Sequence, residues 1–382
     1  MTRPAAHLSG VAMTAFGDHA PADALALQCR AAEACLADAG AERGEIDALL
    51  VGYATTLPHL MPATLLAETF GVTPGFAHGV SAGGATGLVM VDLASRLVAA
   101  GAARRVLVVA GENRRSGATR DDVLRTLAQT GHPRHEVPNG GSIPAYYALL
   151  AARYLHDTGL TERELAHLPV LLRRHAAATE GAQFRDPVTE DDVMASKPIA
   201  PPLKLLDCCP VSDGAAAVLI SADPPAAGPA LRVAGAGQAH THQHMSEAPD
   251  DIALGARQSS AAAFAAAGRG PADMGRLGVY DSFSVTLAML LEATGISAPG
   301  RAAHEAAEGR FDRGGPLPLN THGGLMSYGH PGVAGGLSHL VETVRRMRDD
   351  DAAGAARRPL AFLHGDGGVL SANVSLVLEA AA

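Results

Sequence analysis

Short apolar runs alternate with Ala-rich stretches of helical period along the whole chain. Ala24–Ala39 reads as a helix, and Ile46–Tyr53 (IDALLVGY) follows as a strand. Ala63–Phe70 predicts a short helix, and Phe76–Ser81 an apolar run ending in a glycine turn. Gly87–Ala100 has the helical repeat again, with Leu88, Val91, Leu93, Leu97 and Val98 apolar. Arg105–Ala110 (RVLVVA) is β-branched, uninterrupted and flanked by Gly101 and Gly111, the pattern of a strand covered on both faces. Helices covering a sheet, an α/β fold, follow from this alternation.

From about residue 112 to 202 the rhythm breaks. A polar start (ENRRSGATRDD), a Gly/Pro-rich turn at Gly131–Pro144 and helical segments near Ala145–Asp157 and Glu162–Ala178 read as a subdomain inserted over one face. The sheet resumes at Ala215–Ser221, and the small-residue stretch Ala222–Pro229 (ADPPAAGP) marks a boundary near residue 225, dividing the chain into 1–225 and 226–382. The second half then repeats the first. Leu231–Gly237 echoes His7–Ala12, and Gly278–Leu291 places an apolar element where the first half has Leu49–Tyr53. Gly323–Arg346 is a glycine turn followed by a helix, like Gly83–Ala100, and Pro359–His364 matches Arg105–Ala110. Two similar halves packed about a pseudo-twofold account for this repeat.

Composition narrows the function. With 47% hydrophobic and 18% charged residues, the 382-residue chain has ample material for a core. A net charge of −9 without a Lys/Arg run argues against nucleic acid. No apolar run reaches membrane-span length, and the start MTRPAAHLSG lacks a signal-peptide core, so the expectation is a reducing cytoplasm. Four Cys without repeated spacing exclude a disulfide or zinc-finger framework. His240, His242 and His244 alternate along one stretch, but no Cys or carboxylate follows at ligand spacing, and no metal is expected there.

Each half carries a glycine-dense turn running into a helix N-terminus, VSAGGATG and HGGLMSYGHPG, and a third turn, HGDGG, follows the last repeat strand. Glycine admits close approach of backbone to ligand, and helix N-termini favour negative charge. Facing turns of this kind make an oxyanion site. The stretches MPATLLAETFG, GGATGLVMVDLASRLVAAG with VLVVAGENRRSG, PAYYALLAARYLHDTG, KLLDCCPVSDGAAAV, VYDSFSVT, LNTHGGLMSYGHPGVAGGLSHLVETV and HGDGGVLSANVSLVLE together resemble the thiolase superfamily, in particular its sterol-carrier-protein-x-type members. The resemblance runs through nearly the whole chain, most specifically Asn320 to Gly332. It implies two βαβαβαββ halves in five layers, α/β/α/β/α, a homodimer, and a coenzyme A thioester as substrate with no bound cofactor.

The departures from that family decide the chemistry. The nucleophilic Cys of thiolases aligns with Gly84, and the acid/base Cys of their CxGGG turn aligns with His364. Cys29 and Cys35 fall on a helix and Cys208 and Cys209 precede a strand, where buried small hydrophobes are expected. Ser81 lies three residues before the aligned position and is a poor substitute nucleophile. What remains by resemblance is an acid–base and oxyanion apparatus. His330 falls on the thiolase GHP histidine, Tyr280 and Asp281 replace the Asn-Glu pair of N-E-A-F, and Tyr328 lies on the same turn as His330. Gly83, Gly84, Gly329, Gly367 and Gly368 supply the turns, and Asp366 is expected to fix the third. Either Tyr could instead be packing, and His364 is equally open to a structural part. Arg114 and Arg115 are expected on a solvated surface.

Three functions remain. The first is retro-aldol cleavage of a β-hydroxyacyl-CoA, which needs no enzyme nucleophile. Thiolase-like aldolases with tyrosines in place of Cys act beside a small zinc-ribbon/OB-fold partner, and by that resemblance Tyr280 and Tyr328 are acid and base, with Asp281 orienting. The alternatives are acyl transfer and a non-catalytic scaffold subunit for such a complex.

Overall fold

The computed structural model describes residues 5–225, 228–352 and 358–380. The first half runs β1 (His7–Met13), α1 (Ala24–Ala39), β2 (Ala48–Gly52), α2 (Pro62–Phe70), β3 (Phe76–Val80), α3 (Thr86–Ala99) and β4 (Arg105–Asn113). An excursion follows: α4 (Arg120–Ala128), α5 (Ile143–Thr158), α6 (Glu162–Leu165), α7 (His167–Ala177), α8 (Glu190–Ala195), and a small ribbon of β5 (Pro198–Ala200) and β6 (Leu203–Lys204). β7 (Asp213–Ser221) closes this half. The second half runs β8 (Leu231–His240), α9 (Leu254–Ala267), β9 (Arg276–Val279), α10 (Ser284–Ala293), α11 (Ala302–Ala307), α12 (Gly324–Ser327), α13 (Val333–Ala352), β10 (Leu360–Gly367) and β11 (Ala372–Ala380). Residues 226–227 of the small-residue linker lie outside the described residues.

Among the described residues the main strands are ordered β3-β2-β4-β7-β1-β8-β11-β10-β9, and strands of the two halves pair with each other only at His7↔Arg232. In the first half β2 runs parallel to β3 and β4, and β7 returns antiparallel. In the second, β9 and β10 are parallel and β11 is antiparallel. The counterpart of β3 is reduced to one isolated bridge, Leu277↔Leu319. Helices α1 and α2 cover one outer face, α9 and α10 the other, while α3 and α13 each pack against strands of both halves. The result is the five-layered α/β/α/β/α arrangement. Its apolar interior divides accordingly, into the two outer layers and the central helix pair.

The repeat has a physical basis in the first strand of each half. A Cβ on Gly10 would meet Ala39 at 2.8 Å on α1, and one on Gly235 would meet Ala267 at 2.9 Å on α9. Helix and strand approach too closely there for any side chain. Helix α1 occupies the predicted Ala24–Ala39, begun by Asp23, whose side chain accepts from the Ala26 N–H at 2.8 Å, and ended by left-handed Gly40. The predicted continuous element Gly278–Leu291 is instead the end of β9, a corner at Tyr280–Phe283, and α10. Helix α9 escaped the pattern because ARQSSAAAFAAA offers little contrast between its buried and exposed faces. Among the described residues no helix is long and apolar enough to cross a membrane.

Candidate active site

The ends of β9 and β10 and the N-termini of the two central helices converge. At the start of α3, where no side chain caps the helix, Thr86 Oγ1 accepts from the Ala82 N–H at 2.8 Å and donates to the Gly83 carbonyl at 2.6 Å. Gly83 has φ +60, and a Cβ there would lie 2.7 Å from Gly367 Cα, so the GGATG and HGDGG turns are in direct backbone contact. At the start of α13, the His330 N–H donates to Ser212 Oγ at 2.9 Å, and Ser212 in turn donates to Gln183 Oε1. This fixes the turn that carries the imidazole.

His330 Nε2 lies 2.8 Å from the Tyr280 hydroxyl. That hydroxyl occupies the space a side chain at position 84 would need: a Cβ built on Gly84 overlaps the Tyr280 oxygen and the Asp366 carbonyl. A phenol arriving from the end of β9 thus fills the space beside Gly84. Burial, reinforced by Arg114, holds the His330 pKa down to about 3, so the ring is neutral. Burial also pushes the Tyr280 phenol well above its ordinary value, with Cys209, Asp366 and Tyr53 adding to the rise and Arg114 opposing it. Two neutral, hydrogen-bonded groups face the glycine turns.

Arg114 is buried, contrary to the surface position expected of it. Its Nη2 donates to Glu112 Oε1 at 2.7 Å, while Glu112 Oε2 accepts from the Thr55 N–H and hydroxyl at 2.9 and 2.6 Å. Gly332, with φ +57, makes room for this ion pair beside the His330 turn; a Cβ there would lie 2.9 Å from Arg114 Nη2 and overlap Glu112. A charged triplet continuing a buried strand (VVAGENRR) was the available signal. Arg115, by contrast, is half-exposed, 3.6 Å from Asp18.

Beside the same Gly84 position stands Asp366, through its main-chain oxygen. Tyr147 donates to its Oδ2 at 2.7 Å, and its Oδ1 is buried without a side-chain partner. Burial raises the Asp366 carboxyl to about 7, against the lowering effect of the Tyr147 hydrogen bond and of the Gly367 and Leu370 N–H groups. Tyr147 lies on α5 of the excursion, within the stretch PAYYALLAARYLHDTG, where the sequence pattern alone assigns this residue no role.

The other candidates stand apart from this cluster. Asp281 accepts from the N–H groups of Leu325 and Met326 at 2.9 and 3.2 Å, at the start of α12, and lies 3.1 Å from His339 Nε2. Tyr328 donates to the Thr14 carbonyl at 3.3 Å, packs edge-on against Phe16, and has its pKa raised to about 12 by burial. His364 pairs with Ser375 Oγ at 2.8 Å and Asn373 Oδ1 at 3.2 Å on β11, and burial lowers its pKa to about 4. Gly329 and Gly368 are both left-handed turn residues. Burial raises all four thiols, Cys208 to about 12. Cys209 lies close enough to Tyr280 to influence it, yet His330 is hydrogen-bonded to the phenol and not to a sulfur. Ser81 is exposed. Among the described residues no group of three His, Cys, Asp or Glu could hold a metal; His242 bonds the Val369 carbonyl at 3.1 Å and His244 packs on His132.

Residues 8–223 match the family model for the thiolase N-terminal domain, and residues 237–380 that for the thiolase C-terminal domain-like family. The chain is 32% identical to a steroid side-chain-cleaving aldolase of Thermomonospora curvata, covering 90% of each chain. It is 30% identical to a 17-hydroxy-3-oxo-4-pregnene-20-carboxyl-CoA lyase of Mycobacterium tuberculosis (90% and 91%) and 29% identical to an acetyl-CoA acetyltransferase of Methanothermobacter thermautotrophicus (89% and 90%). A solved Ltp2-ChsH2(DUF35) aldolase superposes with a TM-score of 0.82 at 29% identity, over 100% of this chain and 99% of that one. Fold, duplicated halves and paired glycine turns thus agree with sequence over the same residues, and the chain belongs to the thiolase family.

Proposed function

We propose that the protein cleaves a β-hydroxyacyl-CoA by retro-aldol chemistry, without a covalent acyl-enzyme. The observation that carries this reading is the Tyr280 hydroxyl standing in the place of a side chain at Gly84, 2.8 Å from His330. In the reaction, the Tyr280 oxygen takes the β-hydroxyl proton as its own proton passes to His330 Nε2. The Cα–Cβ bond breaks, a carbonyl compound departs, and the thioester enolate remains. The new imidazolium and the Arg114 guanidinium offset the enolate charge in a water-poor site. Tyr328 is committed to the Thr14 carbonyl, so the proton work falls to Tyr280 and His330.

The aldolase and lyase relatives support this reaction class, and their names support a CoA thioester as substrate. A DUF35-type partner is inferred from the aldolase complex of the same fold. A homodimer is favoured by the free edge strand β3 and by the fully exposed Leu60 and exposed Met61 beside it. These two residues, with Tyr53, Pro62, His78 and Ser81, line an open groove of about 500 Å³. Four free thiols suit a reducing cytoplasm.

Incubation with a β-hydroxyacyl-CoA bearing a tertiary β-carbon, with and without the partner, is expected to give a ketone and a shortened acyl-CoA. A stable acyl adduct in intact-mass spectra would turn the assignment to acyl transfer.

A further inference from the structure

Retro-aldol cleavage needs two proton movements, and the Tyr280–His330 pair accounts for one. The enolate left behind must gain a proton at its α-carbon. A donor there should be buried, beside the Tyr280 and Gly84 cluster, and not closed by an ion pair. Asp366 meets these conditions. Its main-chain oxygen borders the Gly84 position together with the Tyr280 hydroxyl, its carboxyl is near enough to Tyr280 to raise that phenol, its side chain is 1% exposed, and Oδ1 has no side-chain partner while Oδ2 accepts from Tyr147 at 2.7 Å.

The fold supplies an internal control. The repeat of Arg105–Ala110 by Pro359–His364 makes β4 and β10 counterparts, each parallel to the preceding strand of its half, with the sequences AGEN and HGDG at their ends. Glu112 and Asp366 both follow the glycine in these sequences. Both oxygens of Glu112 are engaged, by Arg114 and by Thr55. Asp366 has Tyr147 as its one side-chain partner among the described residues and no cation beside it, so an equivalent position that could have been closed by an ion pair is not.

We infer that Asp366, oriented by Tyr147, is the acid that protonates the enolate α-carbon, a role that rests on the retro-aldol reading. The Asp366 O–H bond breaks as the α C–H bond forms. The resulting carboxylate is held by the Tyr147 hydroxyl. The proton taken from the substrate hydroxyl, now on His330, is returned to Asp366 through solvent once products leave, so none is gained or lost per turnover. In the reverse sense the carboxylate removes an α-proton from the shortened acyl-CoA.

The test follows deuterium entering the α-position of propanoyl-CoA in D₂O, beside cleavage of a β-hydroxyacyl-CoA, using the full chain with its partner. Wild-type exchange should rise with pH through about 7, because exchange needs the carboxylate. Asp366→Asn should slow exchange by on the order of 10²-fold or more and flatten the pH profile. Tyr147→Phe removes a hydrogen bond that lowers the carboxyl pKa, so its exchange midpoint should move to higher pH. Asp366→Asn exchanging at the wild-type rate, or an unmoved midpoint in Tyr147→Phe, overturns the assignment. A wild-type protein that cleaves but does not exchange overturns it too and leaves the retro-aldol reading standing. One that does neither removes both.

Discussion

Glu112 and Asp366 occupy equivalent strand ends in the two halves, yet they are opposite in character. Glu112 is locked into an ion pair with Arg114 and into two bonds with Thr55. Asp366 has a phenol on one oxygen and no side chain on the other. The tyrosines that follow the neighbouring strands diverge in the same way. Tyr53 lies by the ion pair, and Tyr280 reaches across Gly84 to His330. Duplication supplies two similar frames, and the partners given to one carboxyl and one phenol decide which frame carries structure and which carries chemistry.

The largest expected effect probes the ion pair. Glu112→Gln leaves Arg114 buried without its counter-charge and should cost about 3–5 kcal/mol in denaturant unfolding. Asp366→Asn at about pH 5, where the native carboxyl is already protonated, should cost under about 1 kcal/mol. Equal losses would erase the distinction. Next, Tyr280→Phe should lower cleavage by on the order of 10²–10³-fold for a stability loss of only about 1 kcal/mol, while Tyr53→Phe changes cleavage by less than about tenfold.

Acid and base stability sharpen the contrast further. The Asp366 pKa is raised on folding, so its contribution is greatest below about 3.8 and is lost as pH climbs through about 7. The stability of Asp366→Asn relative to wild type should therefore grow by roughly 1.4 kcal/mol per unit over much of that range; a flat difference would show an ordinary carboxylate. His175, His322, His330 and His364 behave oppositely. Their pKa values are depressed to about 4, 3, 3 and 4, so stability falls as pH drops below 6.5. Each costs roughly 2 kcal/mol by about pH 5. Because His330 stays neutral down to about 3, cleavage should show no histidine-type acid limb between about pH 5 and 7. The smallest effect is reserved for Tyr328→Phe, which loses only the bond to the Thr14 carbonyl: about 0.5–1 kcal/mol of stability and cleavage changed by a few-fold.

By itself, the sequence determined the duplicated α/β architecture, the helix Ala24–Ala39, the glycine turns, and the absence of a thiol at position 84. Those features are written in local periodicity, in capping residues, and in the presence or absence of a Cβ. Only the tertiary structure decided what fills the gap. Tyr280 and Gly84 are almost two hundred residues apart, and nothing local to either says that they touch. Tyr328 lies two residues from His330, but the tight turn sends its hydroxyl to Thr14, while His330 turns to Tyr280. Arg114 and Asp366 were legible as charges but not as partners. The pKa of a buried group depends on neighbours brought by other strands and helices, and a single chain pattern does not encode that distance.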